Sequence, residues 1–478
     1  MPHQGSTVVQ TSSGAVRGRH DEYGELYRAI PYAAPPIGAA RFFPPAPPAG
    51  WSGVRDAINS SSTAPQPPRN FGNLDMTPYF GPGWVAGDEY LTVDVRTPSS
   101  SGAALPVMVF VHGGGFVTGS SRAALYDGRA FARDGIVLVT LNYRLGVSGF
   151  LDLEGAPANR GLLDVIAALA WVRDNIEVFG GDPANVTVFG QSAGATLVGS
   201  LLATREAKGL FRRAIVQSGS GTGAFTPQQA QRVTRAAAEA LGVAPTVEAF
   251  AKIPDERFLD ILPKLSGLDL RTRTAGDPLV GLSPFSLVLS EQPADSLANG
   301  PGSEVDLLIG TNTEEGNLYL VPQGNFDTST DADVLAVASG LHDDPQSVVD
   351  AFAAERPGAT PGELRSALLG EALFGRGTAR MVEAHSRISG GRTHVYRFGY
   401  RSTALDGKLG AAHTVELPFV FDLADEPWLH GSTGLLGPSE PPAGLAARMH
   451  DSWVRFARTG NPGWAAYGNG DETVETFG

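Results

Sequence analysis

The chain has 478 residues, of which 42% are hydrophobic and 18% charged, and this balance indicates a folded globular protein rather than a disordered or membrane-spanning one. Its formal net charge of -14 argues against non-specific binding to nucleic acid or to anionic membranes, so we expect a small-molecule partner. The sequence contains no cysteine, which excludes disulfides, thiolate metal ligands and cysteine nucleophiles.

The sequence also bears on location. No apolar stretch reaches the roughly 18 residues that span a bilayer. The N-terminal segment lacks a basic start, an apolar core and a small-residue cleavage site, which together mark a secretory signal. We therefore expect a cytoplasmic protein, provided that no leader has been removed.

Six apolar runs rich in β-branched residues predict strands that are buried on both faces of a mostly parallel sheet. They lie at 106–111, 136–143, 185–189, 214–217, 305–310 and 394–398. Between the second and third runs, Leu162, Ile166 and Leu169 recur at helical spacing and predict a crossover helix. The alternation predicts an α/β fold.

Two stretches, 224–300 and 325–392, are richer in helix signals than the rest of the chain. Thr226, Pro227 and Gln229 form a capping-box start, and Gly242 supplies a stop for the same helix. We interpret both stretches as helical insertions that form a cap over one end of the sheet.

The segment F-G-Q-S-A-G-A, residues 189–195, lies between a predicted strand and a predicted helix. Gly190 and Gly194 permit a tight turn that lifts the Ser192 hydroxyl above the sheet edge, as in a nucleophile elbow. The pattern G-x-S-x-G alone is weak in a glycine-rich chain, where an incidental serine in a turn is the alternative. The flanking strand and helix favour the elbow.

A serine nucleophile requires donors for the negative charge of the tetrahedral intermediate, and backbone N–H groups can supply them. The segment V-F-V-H-G-G-G-F, residues 109–116, places three consecutive glycines after a buried strand. This matches the loop that accompanies the elbow, with an ordinary flexible turn as the alternative.

The base and acid follow from the chain order Ser, then Asp or Glu, then His. Six histidines follow Ser192: His342, His385, His394, His413, His430 and His450. His413 follows a strand and a glycine-containing loop, which favours it, while His342 and His430 remain alternatives. Glu314 and Glu315 both follow a buried strand, and position alone does not choose between them.

Several long motifs in the same order resemble type-B carboxylesterases, the family of cholinesterases and bacterial para-nitrobenzyl esterases, over nearly the whole chain. They include Y-R-A-I-P-Y-A-A-P-P-I-G-A-A-R-F, V-H-G-G-G-F-V-T-G-S, F-G-Q-S-A-G, G-T-N-T-E-E-G and G-A-A-H-T-V-E-L-P-F-V-F. The resemblance implies one domain, 1–478, with the α/β-hydrolase fold, a large mostly parallel sheet flanked by helices. It also implies hydrolysis of carboxylic esters without cofactor or metal.

Carried over by position, the resemblance implies the nucleophile Ser192, the acid Glu315 and the base His413. The oxyanion donors implied by the resemblance are the backbone N–H groups of Gly114, Gly115 and Ala193.

The sequence also departs from the family pattern. Tyr90 stands where the family usually has a cysteine, and Ala64 stands near the position of its disulfide partner. Gln191 stands where the family often has Glu, which changes the charge beneath the elbow. No choline-binding tryptophan can be mapped, so we do not predict a cholinesterase.

The sequence leaves three alternatives to an esterase open. An amidase or carbamate hydrolase and a thioesterase would use the same site. A silent binding protein on this fold is disfavoured by the intact serine, acid, base and glycine loop. The acyl and alcohol groups of the substrate and the oligomeric state are not determined by the sequence.

Overall fold

The computed structural model describes residues 6–297, 300–342, 344–388, 390–468 and 472–478, and its central element is a ten-stranded sheet. The strands in chain order are β1 Val8–Gln10, β2 Ala15–Arg17, β3 Arg19–Asp21, β4 Gly24–Pro31, β5 Val54–Asp56, β6 Thr92–Thr97, β7 Leu105–Val111, β8 Val137–Leu141, β9 Gly181–Gln191, β10 Arg213–Gln217, β11 Asp306–Asn312, β12 Thr393–Phe398 and β13 Val474–Phe477. The large sheet has the order β13-β12-β11-β10-β9-β7-β8-β6-β4-β3, and β1, β2 and β5 form a separate small sheet.

The six predicted strands are confirmed as β7 to β12, and they run parallel to one another in the sheet. In register, Val109 of β7 pairs with Val139 of β8 on one side and with Val188 of β9 on the other. All five residues of β8 are buried, as expected for a strand that is covered on both faces. The antiparallel edge made by β3, β4 and β6 was not predicted.

Helices connect the strands and flank the sheet. The α-helices are α1 Thr77–Phe80, α2 Arg129–Arg133, α3 Gly146–Phe150, α4 Arg160–Asn175, α5 Ala193–Leu201, α6 Pro227–Leu241, α7 Val247–Phe250, α8 Asp255–Leu265, α9 Pro293–Ser296, α10 Asn317–Leu320, α11 Asp331–Leu341, α12 Pro345–Glu355, α13 Pro361–Gly370, α14 Arg376–Ser386, α15 Leu417–Val420 and α16 Leu445–Thr459. Short 3-10 helices lie at Gly38–Phe42, Ala124–Tyr126, Ile176–Phe179, Arg205–Ala207, Pro301–Glu304 and Pro427–Leu429, and one π-helical turn at Glu371–Gly375 precedes α14.

The predicted crossover helix is confirmed as α4, which buries Leu162 and Leu169. The predicted start of α6 is also confirmed, since the Thr226 side chain accepts from the Gln229 N–H while the Gln229 side chain accepts from the Thr226 N–H. Gly242 ends the helix in the left-handed region. The capping box and the glycine stop are strong signals because each depends only on neighbouring residues.

The two stretches interpreted as insertions contain α6 to α9 and α11 to α14, respectively. Helices α11 and α13 bury a small apolar cluster of their own, with Val334, Val337 and Leu368 among its members. Residues 298, 299, 343 and 389 of these stretches lie outside the described residues. No helix in the described ranges is both long and apolar enough to cross a membrane.

Both faces of the large sheet are covered by apolar core clusters. Tyr90 and Ala64, the residues near the family's cysteine positions, are buried in the same cluster. The loop after β8 is fixed by a fully buried ion pair, in which Arg144 donates two guanidinium hydrogen bonds to Asp164 of α4. A buried charge of this kind requires its partner, so the pair fixes α4 relative to the sheet.

Candidate active site

Ser192 forms the turn between strand β9 and helix α5. Its backbone torsions, φ 59° and ψ -127°, lie in a region that residues other than glycine rarely adopt. Its N–H donates to the carbonyl of Gln217 at the end of β10 (2.9 Å), and its carbonyl accepts from the Thr196 N–H in α5 (2.9 Å). The turn is therefore held from both sides, and the residue is 9% exposed.

Two glycines allow the strand ends to approach Ser192 closely. A Cβ on Gly194 would lie 2.0 Å from the carbonyl oxygen of Val111, at the end of β7. A Cβ on Gly113 would lie 2.9 Å from the Cβ of Ser192. A side chain at either position would force the elbow and the glycine loop apart, so the sequence places glycine at both.

The glycine loop and the start of α5 supply the candidate oxyanion donors. In the described part of the chain, the N–H groups of Gly114, Gly115 and Ala193 donate to no backbone carbonyl. Ala193 is the first residue of α5, where an N–H group has no acceptor within the helix. The Ser283 hydroxyl donates to the carbonyl of Gly115 (2.7 Å) and holds the loop from the other side.

His413 and Glu315 are brought together although 98 positions separate them in the sequence. The His413 Nδ1 and the Glu315 Oε2 are 2.6 Å apart, and both residues are buried. Because a carboxylate oxygen only accepts, Nδ1 carries the proton and Nε2 is left as an acceptor. The ring of Phe374, from the π-helical turn, stacks on the imidazole with 4.3 Å between ring centroids.

The second oxygen of Glu315 is also fully engaged. Its Oε1 accepts from the Ser218 hydroxyl (2.5 Å) and from the Asn312 N–H (2.7 Å). Ser218 follows β10, and Asn312 ends β11, so two neighbouring strand ends position the carboxylate. Donors to both oxygens fix the side chain in the orientation that meets His413.

The neighbouring Glu314 is directed elsewhere. Its carboxylate accepts from the Arg401 guanidinium and from the Ala411 N–H (2.9 Å). Among the alternative histidines, His342 is exposed and accepts from the Asp344 N–H (3.0 Å). The ring of His430 lies between backbone carbonyl groups in its own loop. Of the acids and histidines left open by position, only Glu315 and His413 meet beside the elbow.

Gln191, the residue before the elbow serine, lies against the imidazole of His413. Its amide Nε2 is 3.3 Å from the His413 Nε2 and 3.5 Å from the Nδ1. Its Oε1 accepts from the Tyr79 hydroxyl (2.6 Å), which orients the amide with its N–H groups toward the ring. A neutral amide therefore occupies the position beneath the base.

A second carboxyl group lies behind Glu315. Glu416 is fully buried and its Oε2 accepts from the side-chain amide of Asn312 (2.7 Å), the residue whose N–H also donates to Glu315. Burial, together with the nearby charge of Glu315, raises the pKa of Glu416 to about 7. Asn312 thus connects Glu315 with a second carboxyl group that favours the neutral form.

Sequence reasoning missed Ser218, Asn312 and Glu416. Each was visible in a stretch already identified: Ser218 directly follows the run at 214–217, Asn312 precedes the two glutamates, and Glu416 follows His413 by three positions. For Ser218 and Asn312 the available signal was a polar residue at or just past the end of a buried strand. It was not used because such residues are also common in solvated turns.

Two further observations bear on other sites. A cavity of about 250 Å³ lies away from Ser192 and is lined by polar residues that include Arg28, Asp94 and Arg122. None of the residues around His413 lines it, so we do not assign the chemistry to it. Within the described residues, no group of three or more His, Asp and Glu is arranged to hold a metal ion.

Comparison with known proteins gives concordant results. The model of the carboxylesterase family matches residues 5–473. The para-nitrobenzyl esterase of Bacillus subtilis (strain 168) is 35% identical over 100% of this chain and 95% of its own length. The phenmedipham hydrolase of Pseudarthrobacter oxydans is 33% identical over 95% of this chain and 90% of its own. The crystal structure of a Geobacillus stearothermophilus carboxylesterase at pH 6.2 superposes with a TM-score of 0.85 at 32% identity, covering 98% of this chain and 96% of that one.

Proposed function

Because the chain belongs to the carboxylesterase family and is a carboxylic ester hydrolase with the α/β-hydrolase fold, we propose that Ser192, His413 and Glu315 form its catalytic triad. The observation that carries this proposal is the 2.6 Å contact between His413 and Glu315 beside the elbow that holds Ser192. The 35% identity to an esterase over the whole chain supports the reaction class.

In the proposed reaction, the Ser192 oxygen attacks the ester carbonyl carbon while His413 Nε2 takes the hydroxyl proton. The carbonyl π electrons move onto oxygen, and the N–H groups of Gly114, Gly115 and Ala193 stabilise that charge. Collapse expels the alcohol, which receives the proton from His413. Glu315 stabilises the imidazolium through Nδ1–H, and its own partners keep it oriented.

Water then completes the cycle by the same roles. His413 takes a proton from water, the resulting hydroxide attacks the acyl-enzyme, and Ser192 leaves with the proton returned by His413. The net reaction converts ester and water to carboxylic acid and alcohol, and no cofactor or metal takes part. We propose a small-molecule ester as substrate, and a panel of nitrophenyl esters of increasing acyl length would define the acyl pocket.

The proposal is tested by removing the nucleophile. Ser192→Ala should leave a folded protein whose ester hydrolysis is reduced by on the order of 10⁴-fold or more, because the remaining oxyanion donors give only modest acceleration. A fluorophosphonate should label wild type at one site and the variant at none. Retention of a tenth of the turnover, or labelling at another residue, would remove Ser192 from this role.

We also propose that the chain, 1–478, is one domain in which the helical stretches at 224–300 and 325–392 cap the site. Phe374, which stacks on His413, and Ser283, which donates to Gly115, both belong to these stretches and support the proposal. The cytoplasmic location stays a prediction from the sequence, and fractionation of the source cells would test it.

A further inference from the structure

Arg69 lies in the loop between β5 and β6 and reaches the glycine loop of the site. Its Nη2 is 3.4 Å from the carbonyl oxygen of Gly114 and would lie 3.1 Å from a Cβ built on Gly115. The guanidinium also lies 5.9 Å from the ring centroid of Phe71. The cation is therefore placed directly beside the backbone that we assign to the oxyanion.

Among the residues that the structure describes, the charge of Arg69 has no acidic partner. Across the ranges that the structure describes, its guanidinium forms no ion pair, and its one hydrogen bond is the contact with Gly114. The groups that influence it electrostatically are the phenols of Tyr79 and Tyr319. Arg69 thus differs from Arg144 and Arg401, whose guanidinium groups contact Asp164 and Glu314.

Arg69 is open to solvent but has protein atoms close around it. The residue is exposed to solvent, yet surrounding protein atoms desolvate it enough to lower the pKa of Arg69 from its ordinary value. The guanidinium stays protonated at neutral pH because arginine is such a weak acid. Arg69 is therefore a charged group that both solvent and the neighbouring protein atoms reach.

Two tyrosines near Arg69 also lie near the reacting groups. The ring of Tyr319 lies 5.9 Å from that of His413, and the hydroxyl of Tyr79 contacts Gln191 beside Ser192. Both tyrosines are the electrostatic neighbours of Arg69. The free N–H groups of the guanidinium are therefore available to a ligand whose carbonyl occupies the site next to Gly114 and Gly115.

We infer that Arg69 binds a carboxylate carried by the substrate, so that the enzyme prefers esters with an anionic group a short distance from the scissile carbonyl. This inference rests on the proposed function. A guanidinium presents paired N–H donors that match the two oxygens of a carboxylate, and such charge-assisted bonds are stronger than neutral ones. The net charge of -14 repels anions at long range, so the preference depends on this local contact.

The experiment compares esters that differ in one charge. The first pair is monomethyl glutarate and its neutral isostere methyl 4-carbamoylbutanoate, with the group in the acyl part. The second pair, carboxymethyl butyrate and carbamoylmethyl butyrate, places the group in the alcohol part. Hydrolysis of all four is followed by titration at constant pH with wild type, Arg69→Gln and Arg69→Glu.

In at least one pair, wild type should favour the anionic ester by about tenfold or more in kcat/KM. Arg69→Gln should lower the ratio of kcat/KM for that ester to kcat/KM for its neutral isostere by about tenfold to a hundredfold. Arg69→Glu should reject the anion more strongly still. The affected pair identifies whether the carboxylate belongs to the acyl or the alcohol part.

Arg257→Gln is the matched control, since Arg257 is an exposed arginine on α8 whose removal should change neither ester. Equal losses on both members of a pair in Arg69→Gln would overturn the inference, because they indicate a structural role. No anion preference in wild type, or no hydrolysis of either pair by an enzyme that cleaves nitrophenyl butyrate, would overturn it as well.

The proposed function is judged separately with nitrophenyl butyrate, which is neutral. Ser192→Ala should lose this activity, whereas Arg257→Gln should keep it within about threefold of wild type. If Ser192→Ala hydrolyses nitrophenyl butyrate like wild type, the triad proposal fails while the anion preference can still be read from the pairs. The two failures are thus distinguishable.

Discussion

The two sides of the site are built differently. On the inner side, Ser218, Asn312, Glu315 and Glu416 are buried and joined by hydrogen bonds, and the first three lie at or just beyond strand ends. On the outer side, Arg69 is exposed, and Tyr319 and Phe71 are half-buried in loops and a short helix. The hydrogen bonds of the inner side hold the side chains behind His413 in one arrangement. The side chains of the outer side are accessible to a substrate.

This difference separates the residues that determine turnover from the residues that determine selectivity between esters. Changes on the inner side should lower turnover for every ester, or change stability, because they alter groups that act through His413 and Glu315. Changes on the outer side should alter the ratio between esters, as the Arg69 experiment tests. The following predictions probe the inner side.

Among the inner-side residues, the largest effect is expected from replacing the proposed acid, Glu315. Glu315→Gln removes the charge that stabilises the imidazolium and can hold the wrong tautomer of His413, so we expect kcat to fall by on the order of a thousandfold or more. Kinetics with nitrophenyl butyrate measure the loss. Glu314→Gln is the matched control, and we expect it to cost about threefold or less because Glu314 contacts Arg401 and Ala411 instead. The reverse ranking would shift the assignment by one residue.

The next effect concerns Glu416 and stability. The pKa of Glu416 is raised to about 7 from an ordinary value of 4.5, so the folded protein keeps a proton that the unfolded chain releases between these values. Wild type therefore loses stability as pH rises through this window. Glu416→Gln removes that loss, and its free energy of unfolding relative to wild type should rise by about 3 kcal/mol between about pH 4 and pH 8.

Urea denaturation at several pH values measures this difference. The control is Glu248→Gln, which replaces an exposed carboxyl group in α7 and should leave the curve parallel to that of wild type. A parallel curve for Glu416→Gln would show that Glu416 releases its proton at the same pH in both states, contrary to the prediction.

A smaller effect is expected at Gln191. Glu at this position would place a carboxylate about where the amide now lies, 3.3 Å and 3.5 Å from the two ring nitrogens of His413, and would favour the protonated imidazole. The acidic limb of the kcat/KM profile should therefore move to higher pH by about one unit. Tyr79→Phe, which frees the amide without adding charge, should move the limb much less, and equal shifts would contradict the electrostatic explanation.

Removal of metal ions should have no effect on activity. Because the proposed cycle uses only side chains and backbone N–H groups, excess EDTA should leave kcat/KM unchanged. Loss of activity that returns on addition of a divalent metal would contradict the metal-free cycle.

The sequence predicted the centre of the sheet but not its edge. Strands such as β8 are covered on both faces, so their residues form continuous apolar runs that are easily recognised. Strand β6 is buried as well, but it contains Asp94 and Arg96, whose charges are compensated by the Ala29 N–H (2.8 Å) and by Asp21 (2.7 Å). Partners that are distant in the chain cannot be seen in a local pattern.

In the site, too, features that depend on neighbouring residues were predictable and features that depend on distant residues were not. Ser192 could be predicted because its turn depends on neighbouring residues. The choice between Glu314 and Glu315 required the family resemblance, since it depends on Ser218 and on the loop before His413, which lie far away in the sequence. Arg69 offered no signal at all, because its position beside Gly114 arises only from the path of an irregular loop.

The contact of Gln191 with His413 has a consequence for folding, because the two residues are 222 positions apart in the chain. Contacts between such distant segments form late, after the intervening chain is ordered. The geometry we assign to proton transfer thus assembles only when the last third of the polypeptide has docked onto the sheet. During refolding, ester hydrolysis should return after the far-ultraviolet circular dichroism signal, which makes turnover a reporter of completed native structure.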